Sequence, residues 1–228
     1  MRIQELTLYT SQLEKQKLFY RDTLEFNLIQ ESEISVSFQV GKSILAFEYR
    51  EDATPYHFAI NIPSNQEELA LKWLKARVEI LKDASFEIQD FENWNAKAIY
   101  FYDADQNIVE FIARKNLNNW SGKAFDASAL MEISEIGVPS DRIQNIYSQI
   151  TEHVMLEIYD GGFERFCALG DEHGLFICIN KNVKDWFPTN DKAYSSEFHI
   201  KLSHHDIEVA FQFVNGYIIR IPDRYILN

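Results

Sequence analysis

One carboxylate interrupts the most apolar hairpin of the chain. Ala98 to Arg114, AIYFYDADQNIVEFIAR, reads as an aromatic strand, a polar turn and an apolar strand that carries Glu110. An acid in such a run either reaches solvent from a half-exposed strand or points into a cavity and binds something. His57 lies in an apolar strand, YHFAINI, and His199 in a similar one, FHIKLS. A histidine so placed is a hydrogen-bonded core residue or a ligand, and the repeated aromatic–His pair speaks for a shared structural origin. Tyr9, Phe47, Tyr49, Tyr100, Tyr102 and Trp94 are either the lining of an aromatic cup or ordinary sheet core. His204, His205 and Asp206 are adjacent, so on a strand they face opposite ways, and a solvated turn is the simpler reading. There is no Gly-rich phosphate loop, nucleophile elbow or C-x-x-C.

The elements that position these residues repeat. IQELTLY alternates as a strand with Glu5, Thr7 and Tyr9 on one face. Ser11 to Glu14 reads as a capping box that opens a helix over LEKQKLFYRDTL, and FNLIQES, ISVSFQV and SILAFEYR supply three strands. After Pro55 the pattern restarts: YHFAINI, a second capping box from Ser64 to Glu67, the helix LALKWLKARV, then FEIQDF, AIYFY and IVEFIAR. Residues 1–53 and 55–115 are thus two copies of one β-α-β-β-β unit. Residues 116–127 are polar and turn-rich, a linker. A third copy spans LMEISEIGV, a helix with Ile143, Ile146, Tyr147 and Ile150 at helical spacing, then VMLEIYD, FERFCAL and GLFICIN. A long loop, KNVKDWFPTNDKAY, precedes a truncated fourth copy with no room for a normal helix and an Asn215-Gly216 hairpin turn. The fold class is α+β, with units paired into a domain over 1–115 and a degenerate one over 128–228.

The chain has 228 residues, 46% apolar, enough for a packed core. Its 35 acids against 22 bases give a net charge of −13, which opposes nucleic acid and anionic membranes as partners. No stretch has the length of a signal peptide core or a membrane span, so a cytoplasmic location is expected. Cys167 and Cys178 then read as two buried thiols in a reducing compartment, neither with the basic neighbours a reactive cysteine needs.

FYRDTLEF at 19–26 resembles the FY-x-x-x-LGF motif of the vicinal oxygen chelate superfamily, which contains glyoxalase I, bleomycin-resistance proteins and extradiol dioxygenases. FYDADQNIVEF at 101–111 resembles its F-x-DP-x-GN-x-x-E hairpin. The chain departs from these motifs at Glu25, Ala104 and Gln106, where the family has Gly, Pro and Gly. The resemblance implies paired curved sheets that form cups, with a divalent metal (Fe, Mn, Ni, Co or Zn) inside one. Carried over position by position, it implies Glu5, His57 and Glu110 as ligands. Glu110 would double as a catalytic base, with Glu48 and Tyr102 or Tyr9 near the substrate. The second-half equivalents of Glu5 and Glu110 fall near Ile133 and Ile218, which implies a scaffold without its own metal site. The activity implied is that of a lyase, isomerase or ring-cleaving dioxygenase acting on a small-molecule ligand. Two other readings use the same architecture: a metal-free binding or sequestering protein, and an interaction scaffold with neither cup in use. Self-association as a homodimer is compatible with all three.

Overall fold

The computed structural model describes residues 1–222. The last six residues of the expected second half lie outside them.

Unit one comprises β1 (Arg2–Thr10), α1 (Leu13–Leu18), β2 (Asn27–Glu31), β3 (Ser35–Val40) and β4 (Ser43–Tyr49). Unit two comprises β5 (His57–Ile62), α2 (Glu67–Lys75), short strands β6 (Ile80–Leu81) and β7 (Gln89–Phe91), β8 (Ala96–Tyr102) and β9 (Ile108–Arg114). Unit three comprises β10 (Glu132–Ser140), α3 (Ile143–Thr151), β11 (Ile158–Gly161), β12 (Phe166–Asp171) and β13 (Gly174–Asn180). Unit four keeps only β14 (Phe198–His204), β15 (Ile207–Val214) and β16 (Tyr217–Ile221). The mixed α+β class and the tandem units are as expected.

The way the units pair is not. One sheet runs β16-β15-β14-β1-β4-β3-β2 and the other β11-β12-β13-β10-β5-β9-β8-β6, with β7 on β8. Unit one therefore joins unit four, through the antiparallel pair β1–β14, and unit two joins unit three through β5–β10. The division into 1–115 and 128–228 is corrected accordingly. The physical reason lies in the first strands. Each has one neighbour inside its own unit, β4, β9, β13 or β15, and its other edge is left to satisfy. Adjacency in sequence does not decide which first strand fills that edge.

Strand alternation separates two faces. On β5 and β9, Phe58, Ile60, Val109 and Phe111 enter a core shared with the other sheet and the helices. The opposite face presents His57, Ala59 and Asn61 from β5, and Ile108, Glu110, Ile112 and Arg114 from β9. That face is the inside of a cup, closed by the loop that carries Trp186 and Phe187.

The capping boxes do not form. α1 begins after Gln12 and α2 after Gln66, both without a side-chain cap. Thr10 Oγ1 instead accepts from Gln12 N at 3.0 Å, and Gln66 Nε2 reaches the Lys123 carbonyl at 2.7 Å. α1 passes into a π-helical turn, Phe19–Thr23, which swings Tyr20 inward. The Tyr20 hydroxyl donates to Asp103 at 2.8 Å, and so does Gln16 Nε2. Asp103 also accepts from Asn107 Nδ2, while Asn107 Oδ1 receives the amide of Tyr56 at the head of β5. The two sequence motifs of the resemblance are thus halves of one buried contact between α1 and the β8–β9 turn. Glu25 and Gln106, where the motifs have glycine, take φ of 57° and 63°, the left-handed region glycine favours.

Candidate metal centre and cup

Three donors converge on the floor of the cup in the larger sheet. His57, Glu110 and Glu135 each bring a ligand atom within 4.8 Å of the others, and all three are buried. They come from β5, β9 and β10, adjacent in the sheet, so the backbone ladder fixes them before any ligand arrives. His57 Nδ1 lies 3.2 Å from the Ile108 carbonyl and donates to it, which leaves the Nε2 lone pair facing Glu110. The distance from Nε2 to Glu110 Oε2 is 3.6 Å. Two electron-rich atoms at that separation are too far apart for a hydrogen bond. The separation is a few tenths of an ångström beyond that of two ligands of one cation, since bonds of about 2.1 Å place neighbouring donors roughly 3.0–3.4 Å apart.

Electrostatics point the same way. Burial pushes the Glu110 carboxyl well up, and the neighbouring charge of Glu135 pushes it further. Burial also raises Glu135, against the pull of Arg114. Burial lowers His57 to about 4, so the imidazole is neutral at pH 7, the form that ligates. Tyr100 faces Glu110 across the β8–β9 pair. Arg114, fully buried at the end of β9, donates through Nη2 to Glu135 and through Nε to Asn61 Oδ1 at 3.3 Å. Two buried carboxyl groups face one guanidinium, and the donor set fits a divalent cation, whose charge would replace the proton that burial favours on Glu110, with Glu135 shared between the cation and Arg114.

The other implied residues lie elsewhere. Glu5 is on β1 in the smaller sheet, in register with Lys201 of β14, and is not part of the centre. Glu48 is exposed on β4 of that same sheet. There the corresponding hollow is filled: Arg50 stacks 3.4 Å over the Tyr9 ring and pairs with Glu197. Tyr102 donates its hydroxyl to Asp191 at the cup's edge, whereas Tyr100, two residues earlier, faces Glu110. Phe47 is core and Tyr49 exposed, while Trp94 lines the cup.

Sequence counting missed Glu135. β1 and β10 each carry a bulge, between Ile3 and Glu5 and between Ile133 and Glu135. Past the bulge, Glu5 faces Lys201 and Glu135 faces Ala59, two positions beyond His199 and His57 respectively. The repeat equivalent of Glu5 is therefore Glu135, not a residue near Ile133. The smaller sheet thus holds Glu5 and His199 in the places of Glu135 and His57. It lacks a Glu110 counterpart because unit four has no parallel last strand beside β14.

Above the donors the cup encloses a cavity of about 610 Å³. Its walls include Trp94, Phe166, Ile177, Trp186 and Phe187. The His57 and Trp186 rings lie 4.9 Å apart, and Gly137 of β10 makes room for the indole: a Cβ there would come within 2.6 Å of it. The volume is that of a small-molecule site. Among the described residues no helix is long and apolar enough to cross a membrane.

No protein-family model matches the sequence, and no curated protein matches it. Solved structures do resemble it. A proposed dioxygenase from Bacillus subtilis aligns with a TM-score of 0.61 and 14% identity over 96% of this chain and 84% of that one. A glyoxalase/bleomycin resistance protein/dioxygenase from Nocardioides is 23% identical over 54% of this chain and 87% of its own, with a TM-score of 0.41. The fosfomycin resistance protein FosX from Listeria monocytogenes, solved with Mn(II), is 22% identical over 49% and 87%, with a TM-score of 0.39. The architecture along nearly the whole chain is that of the first of these, and the fold is glyoxalase-like, as the two motifs imply.

Proposed function

We propose that the chain is a divalent-metal enzyme of the vicinal oxygen chelate type that acts on a small molecule in the cup of the larger sheet. One observation carries this reading: three buried donors, one imidazole and two carboxylates, meet at the floor of a ligand-sized cavity. His57 Nε2, Glu110 and the Glu135 oxygen not engaged by Arg114 would hold the metal. Fe²⁺, Mn²⁺, Ni²⁺, Co²⁺ and Zn²⁺ all accept such a set. Bound there, the ion would supply Lewis-acid polarisation of substrate oxygens.

The protein's own groups have separable tasks. The Ile108 carbonyl fixes the His57 tautomer, and Arg114 keeps Glu135 ionised. Glu110 would be the proton carrier when released from the metal: in the empty site burial and Glu135 raise its affinity for a proton, and Tyr100 faces it across the β8–β9 pair. The aromatic walls exclude water from a substrate on the cup floor. The reaction class is a lyase, isomerase or ring-cleaving oxygenation of a substrate with adjacent oxygens.

A second reading, a metal-free binding protein, is favoured by the Arg114–Glu135 pair, because it neutralises one acid while burial raises the proton affinity of the other, Glu110. Metal analysis of untagged protein beside His57→Ala decides between them. About one equivalent in the first and little in the second supports the enzyme. Equal content in both, or none in either after incubation with each of the five ions, removes it in favour of the binding protein.

A further inference from the structure

We propose that this cup is built for a cationic ligand, an organic ammonium or guanidinium with an apolar or aromatic body; the inference rests on the placement of the site in the cup and adds a substrate class to it. The rings at the mouth form a continuous collar. Phe166 lies 6.2 Å from Trp94, Trp94 6.3 Å from Phe91, and Phe91 6.0 Å from Phe187. Half-buried rings of this kind present electron-rich faces that attract cations. Trp94 already serves one, since the Arg114 guanidinium sits 5.4 Å from its ring. Its indole N–H donates to Asp160 at 2.7 Å, and a carboxylate on that N–H makes the ring more electron-rich.

Acids complete the collar. Asp90, Glu92 and Asp160 line the same cavity and are exposed. The cation that approaches Asp90 is Lys97, at the long distance of 3.9 Å, and among the described residues neither Glu92 nor Asp160 has an ion pair. These carboxylates are not part of the donor set. β7 pairs Phe91 with Ala96, whereas Glu110 pairs with Tyr100, four residues further along β8. At about 3.3 Å per residue the backbone at Phe91 lies roughly 13 Å along the strand from that at Glu110, and the Arg114 side chain, bonded to Glu135 and near the Trp94 ring, spans the interval. One basic residue, Lys184, lines the cavity, and its charge is felt at His57, near the other end. The cavity has polar groups at both ends and apolar walls between: a ligand with oxygens on the floor and a positive group near Trp94 satisfies both ends. A neutral or anionic group at the mouth would supply these carboxylates with no counter-charge; Asp160 already accepts hydrogen bonds from the Trp94 indole N–H and from Gly161 N, both at 2.7 Å.

The test uses the full chain stripped of metal with EDTA and three probes of one shape: (4-hydroxyphenyl)trimethylammonium, its neutral isostere 4-tert-butylphenol, and 4-hydroxybenzenesulfonate. Binding is followed by calorimetry and tryptophan fluorescence at low salt. The ammonium should bind about tenfold more tightly than the isostere, the sulfonate most weakly, and the preference should shrink as salt rises. Glu92→Gln with Asp160→Asn should cut the preference at least about fivefold, since both side chains are exposed and an amide oxygen at position 160 can still accept from the Trp94 indole. His57→Ala should leave the preference intact, so metal binding can fail without touching this result. Equal affinity for the ammonium and the isostere, tighter binding of the sulfonate, or binding of none of the three would overturn the inference.

Discussion

Replacing Arg114 with methionine should be among the costliest single changes in the protein, and its cost should depend on Glu135. Arg114 is wholly buried, its Nη2 held by Glu135 and its Nε by Asn61. Removing one partner of a buried ion pair strands the other and typically costs about 3–5 kcal/mol. Losing the donor to Asn61 adds about 1 kcal/mol. An opposing gain of similar size comes from Arg114 Nη1, which is buried without a hydrogen-bond partner, so the two small effects offset each other. Arg114→Met/Glu135→Gln removes the stranded charge and should cost only about 1–2 kcal/mol, since neutral replacement of a buried pair is well tolerated. The coupling energy is then at least about 2 kcal/mol. The assay is urea unfolding of metal-free protein at pH 8, followed by tryptophan fluorescence, on wild type, both single variants and the double variant. In Arg114→Met the deficit should narrow as the pH falls, because Glu135 can then take up a proton. Additive single effects, or a loss below about 1 kcal/mol for Arg114→Met, would refute the view that Arg114 holds Glu135 charged.

His57 has a folded value of about 4 against 6.5 in the unfolded chain. Below pH 6.5 the unfolded chain therefore gains a proton that folded His57 refuses, and stability is lost as the pH falls from 6.5 towards 4. Metal-free His57→Gln should lose measurably less over that window, and parallel pH profiles would contradict the assignment. Cys167 and Cys178 face each other across β12 and β13, free and buried, with both thiols pushed up by burial. A thiol reagent at pH 8 should find none in the folded protein and two in urea; rapid labelling without denaturant would show that burial does not protect them. Gln106, at φ 63°, should gain roughly 0.5–1 kcal/mol when changed to glycine, read from the urea midpoint, and a loss would mean the turn is not strained.

The strands were legible because their chemistry is local. GLFICIN and IEVAFQFV coincide with β13 and β15, and Asn215-Gly216 makes its turn with both φ positive. The helices were legible by period but not at their starts, since Ser11 and Ser64 resemble caps without serving as caps. Of the site, Glu110 and His57 could be read from apolar strands and a family motif. Glu135 was legible only in part: Ile3-Gln4-Glu5 and Ile133-Ser134-Glu135 match without a gap and carry the same bulge, which makes Glu135 the repeat equivalent of Glu5, but its relevance depends on β10, not β1, pairing with β5. The loop 181–194 could be located in the sequence, but its delivery of Trp186 and Phe187 onto the cup is a tertiary event.

The account turns on which glutamate completes the centre, and one comparison tests it: bound divalent metal in wild type, Glu135→Ala, Glu110→Ala and Glu5→Ala, each purified without a tag, loaded under the same conditions and measured by elemental analysis. Wild type and Glu5→Ala should each hold about one equivalent, and the other two should hold a small fraction of it. Metal retained by Glu135→Ala but lost from Glu5→Ala would place the centre in the wrong sheet and contradict the account at its root.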